Sequence, residues 1–270
     1  QALADDPQTS VIVLISKPPA QAIADKILAR AAATAKPVVV NFLGQGSPDV
    51  SPEGVFFADS LAHSAEVAVA LYRNQPAPEA RQSSEADRQR AADLASRLNS
   101  RQRYIRGVFA GGTFCYEAQI IASGYGIQAF SNTPSKGNSP LEDLWHSQGH
   151  TIIDLGDDDF TQGRPHPMID PTLRNQRLLQ EAQDPQTAVL LFDLVLGYGA
   201  SEQPLADLLT VIEQAQQQAA PPVIIAHVCG TDADPQSRQQ IQQALADAGV
   251  QLAETNADAA HLAARIAFGL

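Results

Sequence analysis

Apolar positions along this chain cluster in short unbroken runs and rarely alternate with polar ones. Val11–Ile15 and Val189–Val195 are such runs, and Pro37–Gly44 and Pro221–Gly230 are Pro-led, β-branched and end in Gly. Such runs are strands buried on both faces, which is how a parallel sheet reads. Ala- and Leu-rich segments at helical spacing, 20–34 and 203–219, lie between them. Strands alternating with helices predict an α/β fold with helices on both faces of a parallel sheet. A further strand, Arg106–Ala110, leads through Gly111-Gly112-Thr113 into a helix over Phe114–Ser123 that Gly124 stops.

The pattern occurs twice. Asp6-Pro7-Gln8-Thr9 returns as Asp184-Pro185-Gln186-Thr187, and each copy continues with strand, helix, Pro-led strand, short strand and last helix. The last two elements fall in Gly54–Leu71 and Gly249–Phe268. The second copy adds a helix over 235–248, with Asp234 as N-cap and Pro235 in the first turn. Residues 104–183 precede the second copy, whereas five residues precede the first. The expected organisation is a complete second domain over 104–270 and the second half of a related first domain over 1–72. The rest of that first domain is expected to be absent, the chain being cut from something longer. Residues 73–103 read as a polar linker with a solvated helix carrying Ala91, Leu94 and Leu98.

Composition narrows the function. Apolar residues make up 44% of the 270, enough for a globular core. Lys and Arg number 18 against 30 Asp and Glu, so the net charge of −12 repels a nucleic-acid backbone. A small anion can still find a locally positive site. No apolar run reaches the ~18–20 residues of a membrane span. Gln1–Asp6 lacks the basic start and apolar core of a signal peptide. Two cysteines, Cys115 and Cys229, point to a reducing, cytoplasmic setting.

Four loops carry candidate chemistry. The first is Gly111-Gly112-Thr113-Phe114, where a strand turns into a helix and frees backbone N–H groups for phosphate or carboxylate; its plainer meaning is a tight turn capped by Thr113. The second is 154–175, with Asp157-Asp158-Asp159 followed by Arg164-Pro165-His166-Pro167. It reads as a substrate loop in which Arg164 clamps an anion, as a metal site of His166 with Asp157 or Asp159, or as a structural acidic turn. No metal is expected at the site. The third and fourth are Asp193 with Gly197 and Gly199, and Gly230 with Thr231. Each group ends a strand at the sheet edge where α/β proteins hold ligands, or is a plain strand-end turn. His63, His146, His150, His227 and His261 read as surface or core residues. Cys115 lies one turn into the Gly-loop helix, where the dipole would lower its pKa, but no histidine adjoins it in sequence and it is not read as a nucleophile.

Several strings resemble known proteins. Gly112-Thr113-Phe114-Cys115-Tyr116-Glu117-Ala118 is similar to the Ser-Gly-Thr-x-x-Tyr-Glu-Ala turn of the succinyl-CoA synthetase α subunit, and 154–230 resembles the C-terminal ligase domain of its β subunit. Ile153–Asp158, Thr161 and Gly163–Gln176 resemble the FdrA proteins, relatives of the CoA ligases; Ser16–Ala20 and Phe56–Leu61 do too. The resemblance implies flavodoxin-like, CoA-ligase-type sheets in two related domains. The ligases carry a phosphorylated histidine in a Gly-His-Ala-Gly loop, but residues 44–55 contain no histidine, and no ATP-grasp segment is present. The usual ATP-driven route to a thioester is therefore not expected.

The FdrA resemblance implies a subunit of a carbamoyl- or acyl-phosphate transferase of the oxamate carbamoyltransferase type, in purine (allantoin) degradation. Under it, Gly111, Gly112, Thr113 and Phe114 hold phosphate or the oxyanion. Arg164 and His166 act on the anion. Asp157, Asp158, Asp193, Gly197, Gly199, Gly230 and Thr231 line the substrate edge. Phosphate or carbamoyl phosphate is the expected ligand, with CoA only if the missing N-terminal part supplies its site. A small anionic substrate, further subunits and a homo- or hetero-oligomer are the expected partners, with no nucleic acid and no membrane. An acyl-CoA synthetase and a non-catalytic scaffold subunit are the alternatives.

Overall fold

The computed structural model describes all residues except Ser47, Asp49 and Leu270. The chain folds as two compact units, Gln1–Gln82 and Ser83 onward. In the first, α1 (Ala2–Asp5), β1 (Ile12–Ser16), α2 (Gln21–Ala32), β2 (Val38–Phe42), β3 (Val55–Phe57) and α3 (Leu61–Tyr72) follow in order. The strands form a three-stranded parallel sheet, β1-β2-β3. The loop in which no histidine is found, 44–55, includes Ser47 and Asp49, which lie outside the described residues.

The second unit starts with α4 (Glu85–Ala95), β4 (Tyr104–Phe109), α5 (Gly112–Gly124), β5 (Ala129–Ser131), β6 (Ser139–Pro140) and β7 (His150–Asp154). Next come α6 (Asp158–Thr161), α7 (Thr172–Gln183), β8 (Thr187–Val195) and α8 (Leu208–Gln216). It ends with β9 (Val223–Cys229), α9 (Arg238–Asp247), β10 (Gln251–Ala253) and α10 (Asn256–Phe268). All seven strands are parallel, in the order β10-β9-β8-β4-β7-β5-β6. One face packs Phe109, Leu191 and Ile225 against α4, α5 and α10; the other packs Val108, Phe192 and Ala226 against α7, α8 and α9.

The sequence repeat is also a structural one. In both copies Asp-Pro-Gln-Thr makes the same turn into a strand. Asp6 Oδ1 accepts the Gln8 N–H at 3.0 Å, and Asp184 Oδ1 accepts the Gln186 N–H at 2.9 Å. The last helices are capped alike, by Ser60 on the His63 N–H and by Thr255 on the Asp258 N–H.

Three local expectations change. The helix in 83–102 is solvated on one side only: Ala91 and Leu94 are buried in the core beside α10, because its small apolar stripe needs a partner. The helix expected from 235 starts at Arg238, since Asp234 accepts the Thr231 N–H at 2.6 Å and holds 231–234 as a turn. That expected over 203–219 runs from Leu208 to Gln216, after Asp207 at φ 57. Among the described residues no helix is long and apolar enough to cross a membrane.

At the edge of the sheet where the strands begin, Glu181 sits between two arginines. Arg177 Nε is 2.5 Å from Glu181 Oε1. Arg106 Nε is 3.0 Å from Oε2, an ion pair too oblique for a hydrogen bond. Arg106 also pairs with Asp184 at 2.6 Å. All three members of the triad are buried. This network is scaffold, at the end of the sheet away from the candidate site.

Candidate functional site

Strand order places the site. The chain leaves β4 for β5 and β6, returns to β7 on one flank of β4, and then crosses to β8 on the other. The reversal opens a crevice above the carboxyl ends of β4, β7 and β8, where α/β sheets hold ligands. Helix α5 starts in that crevice.

Paired residues on neighbouring strands project from the same face. Asp193 pairs with His227, and Phe109 with Asp154. Three titratable side chains, on β9, β8 and β7 with β4 between the last two, therefore lie at one end of the sheet beneath the first turn of α5. Each is a polar residue inside an apolar run, and of the three the sequence analysis selected Asp193 alone. The Phe114 ring closes edge-on over His227, with centroids 5.6 Å apart.

Asp193 is fully buried. Its Oδ1 accepts the Ala110 N–H at 2.7 Å and its Oδ2 the Gly111 N–H at 2.8 Å. Burial raises its pKa to about 6, opposed by these two N–H groups and by the Arg174 charge. Asp154 Oδ1 accepts the Gly156 N–H at 2.9 Å. A Cβ on Gly112 would fall 2.4 Å from Asp154 Oδ2, and one on Gly111 2.9 Å from Asp193 Oδ2. The glycines are required first by the protein's own carboxylates.

This revises the turn in two respects. The Gly111 N–H, expected to face a ligand, is committed to Asp193. The N-cap of α5 is Gly111, and Thr113 is an exposed residue of the first turn, not the cap. Helix geometry leaves the N–H groups of Gly112, Thr113 and Phe114 without intrahelical acceptors.

The acidic loop divides. Asp157 caps α6 by accepting the Asp159 N–H at 3.1 Å, while Asp158 and Asp159 are exposed on that short helix. His166 turns inward. Its Nδ1 accepts the Met168 N–H at 3.2 Å, so the neutral ring carries its proton on Nε2. A Cβ on Gly156 would lie 2.5 Å from His166 Nε2, 2.8 Å from the Ala110 carbonyl oxygen and 3.1 Å from Asp154 Oδ1. Arg164 turns outward, its guanidinium 5.6 Å from the Trp145 ring centroid. Among the described residues no three His, Cys, Asp or Glu side chains gather as a metal site.

A buried cation that sequence reasoning missed, Arg174, acts electrostatically on Asp193. It is 3% exposed, and burial pulls its pKa down to about 10 against the pull of Asp193. Its Nε and Nη2 donate to Asn175 Oδ1, and Nη2 also to the Pro204 carbonyl. Its position inside a helical segment gave no sign that it would be buried.

The remaining candidates form a rim. Gln236 Oε1 accepts the Gly197 N–H at 3.1 Å, and its Nε2 donates to the Gly197 and Ser201 carbonyls. Gly197 and Gly199 have φ of 128° and 84°, and between them Tyr198 is 91% exposed. Gly230 packs on Leu196, where a Cβ would sit 2.8 Å from Leu196 Cβ. Cys115 is buried, and burial pushes its thiol well above the ordinary range, with Asp154 adding to the rise. The helix dipole does not activate it. His63, His146, His150 and His261 are engaged by Asp59, Asp143, the Ile105 N–H and Tyr125 respectively.

Residues 108–266, the greater part of the second unit and of the chain, match the CoA-ligase family profile. The chain belongs to the CoA-ligase family. Within it, the chain is 43% identical over 276 residues to the uncharacterized protein YahF of Escherichia coli (strain K12), covering 97% of this chain and 51% of that protein. The chain thus spans about half the length of that curated relative. Among solved structures it is similar to a dinucleotide-forming acetyl-coenzyme A synthetase 1 of Ca. Korarchaeum cryptofilum, in complex with phosphate and ADP. Identity there is 13% and the TM-score 0.39, over 98% of this chain and 54% of that one. PH0766 from Pyrococcus horikoshii OT3 gives 13% and 0.38, over 99% and 54%.

Proposed function

We propose that this CoA-ligase family member holds a small anion at the start of α5 and belongs to a carbamoyl- or acyl-phosphate transferase of the FdrA, oxamate carbamoyltransferase type. The observation that carries the proposal is the turn Gly111–Phe114, set at the strand switch with three N–H groups directed out of the helix. In the transfer, a phosphate oxygen attacks the ureido carbonyl of oxalurate, carbamoyl phosphate forms, and oxamate leaves with a proton on its amide nitrogen. The N–H groups of Gly112, Thr113 and Phe114 would stabilise the developing oxyanion. The His166 Nε2–H would serve the leaving nitrogen. No step needs a nucleotide, in keeping with the absence of histidine from 44–55. Residues 1–72 would then be the second half of a related ligase-like domain, and the whole enzyme would include further chain or subunits.

The test follows phosphate release from carbamoyl phosphate with and without oxamate, beside CoA- and nucleotide-dependent turnover of simple acids. Oxamate-dependent release without CoA or nucleotide, reduced by His166→Gln, is the expected result. Turnover that requires CoA and a nucleotide would instead establish an acyl-CoA synthetase, the second reading, which family membership favours. Neither activity in this chain or in a chain of its relative's full length would leave a scaffold subunit.

A further inference from the structure

We propose that the open edge of β1, together with the exposed side of α3, is a docking surface for one parallel strand and the helix that follows it, supplied by further chain of the same polypeptide. This surface is independent of the transfer chemistry proposed above, and the two stand or fall separately.

The two copies of the repeat match in register. Ile12 lies opposite Val38 as Leu190 lies opposite Ile224, and Val39 opposite Phe56 as Ile225 opposite Gln251. The caps of the last helices, Ser60 and Thr255, then fall in step. β1 therefore answers to β8 and α3 to α10. Val13 stands in the place of Leu191, Ile15 in that of Asp193 and Val69 in that of Ala264.

The copies differ in what covers them. β8 has β9 on one side and β4 on the other, with Leu191 opposite Gly107. Among the described residues β1 has β2 alone. Ile12 donates its N–H to the Pro37 carbonyl, and the Ser16 carbonyl accepts the Leu43 N–H. Backbone groups alternate sides along a strand, so those of Val13 and Ile15 point to the open side. In the second unit Leu191, Ala260 and Ala264 are sealed in a core with Cys115, Ala118 and Ala122 of α5. Their counterparts meet solvent. Val13 is 40% and Val69 48% exposed, against 1% and 0% for Leu191 and Ala264. Ile15, Ala65 and Tyr72 are exposed too, and Ala65, Val69 and Tyr72 follow one another at helical spacing. An edge that stays open in the folded protein is ordinarily blunted by charge. β1 carries none.

The second copy shows what fits. A strand in the place of β4 extends an all-parallel sheet, and a helix in the place of α5 meets α3 through small residues, as α5 meets α10. A second copy of the chain fits less well. A two-fold axis would set β1 antiparallel to its mate and break the parallel order. The chain covers 51% of its curated relative, so a polypeptide of that length holds ample chain for one strand and one helix.

The test compares amide hydrogen exchange in this 270-residue chain and in a chain of the relative's full length. The N–H groups of Val13 and Ile15 should exchange at least about tenfold more slowly in the longer chain, independently of concentration. Val13→Lys should abolish that protection in the longer chain. It should leave the unfolding midpoint of the 270-residue chain unmoved, since Val13 is exposed there. Equal exchange in both chains would overturn the proposal. Protection that grows with concentration in the shorter chain would assign the surface to a second copy and overturn it too. Protection in the longer chain that survives Val13→Lys would place the cover elsewhere and refute it as well. Should Val13→Lys prevent the longer chain from folding, Val69→Lys on the helix side of the surface is read in the same way, with the same loss expected.

Discussion

Replacing Gly112 with Ala places a methyl group 2.4 Å from Asp154 Oδ2, far inside contact distance. The carboxylate has little freedom to retreat. Its Oδ1 is tied to the Gly156 N–H, and its backbone N–H and C=O are both bonded to the Asn132 side chain. Overpacking of this kind costs about 1–3 kcal/mol. The gain in helix propensity from Gly to Ala, about 0.5–1 kcal/mol, works the other way. Gly124 supplies the control: a Cβ there meets nothing within 4 Å, so Gly124→Ala shows the propensity gain alone. Urea unfolding should find Gly112→Ala less stable than Gly124→Ala by about 1–3 kcal/mol, or roughly 2–12 °C in Tm. Asp154→Ser should relieve the clash, so a double-mutant cycle between Gly112→Ala and Asp154→Ser should give coupling above about 1 kcal/mol. If Gly112→Ala is as stable as Gly124→Ala and shows no coupling to Asp154, then Asp154 does not explain the glycine. Its absent side chain would then be reserved for a ligand alone.

Three further outcomes are expected. Glu181→Ala leaves the buried Arg177 without its carboxylate and Arg106 with Asp184 alone, and should cost about 3–5 kcal/mol in chemical denaturation, whereas the exposed pair Arg88–Glu85 should contribute almost nothing. Asp193 is raised from 3.8 to about 6 in the folded chain, so the native state binds the extra proton and stability falls as pH rises through that window, by roughly 3 kcal/mol. His150, depressed to about 4 by burial and Arg106, works in the opposite sense, so the Asp193 contribution should be read as native minus Asp193→Asn across pH 4–7. In native conditions a thiol reagent should modify the half-buried Cys229 well before the buried Cys115, and both equally once the chain is unfolded.

The alternation of apolar runs and helical segments was enough to specify a parallel α/β fold, because period and run length are local properties of the chain. The repeated Asp-Pro-Gln-Thr worked the same way, since each Asp bonds a backbone N–H two residues ahead whatever surrounds it. The turn at 111–114 was legible as a strand-to-helix junction for the same reason. Three features were not legible. β7 enters the sheet beside β4, which brings Asp154 under a turn more than 40 residues earlier in the chain. Arg174 is buried and its charge acts on Asp193, while Arg164 is exposed over the Trp145 ring, although Arg164 lies in the more unusual local sequence. Ala91 and Leu94 are buried although their helix is mostly polar. Strand order and the partner of a helix face are fixed by packing among distant segments, which no local pattern encodes. A Gly-rich turn in sequence announces that something must come close; only the folded sheet decided that the protein's own carboxylates come close first.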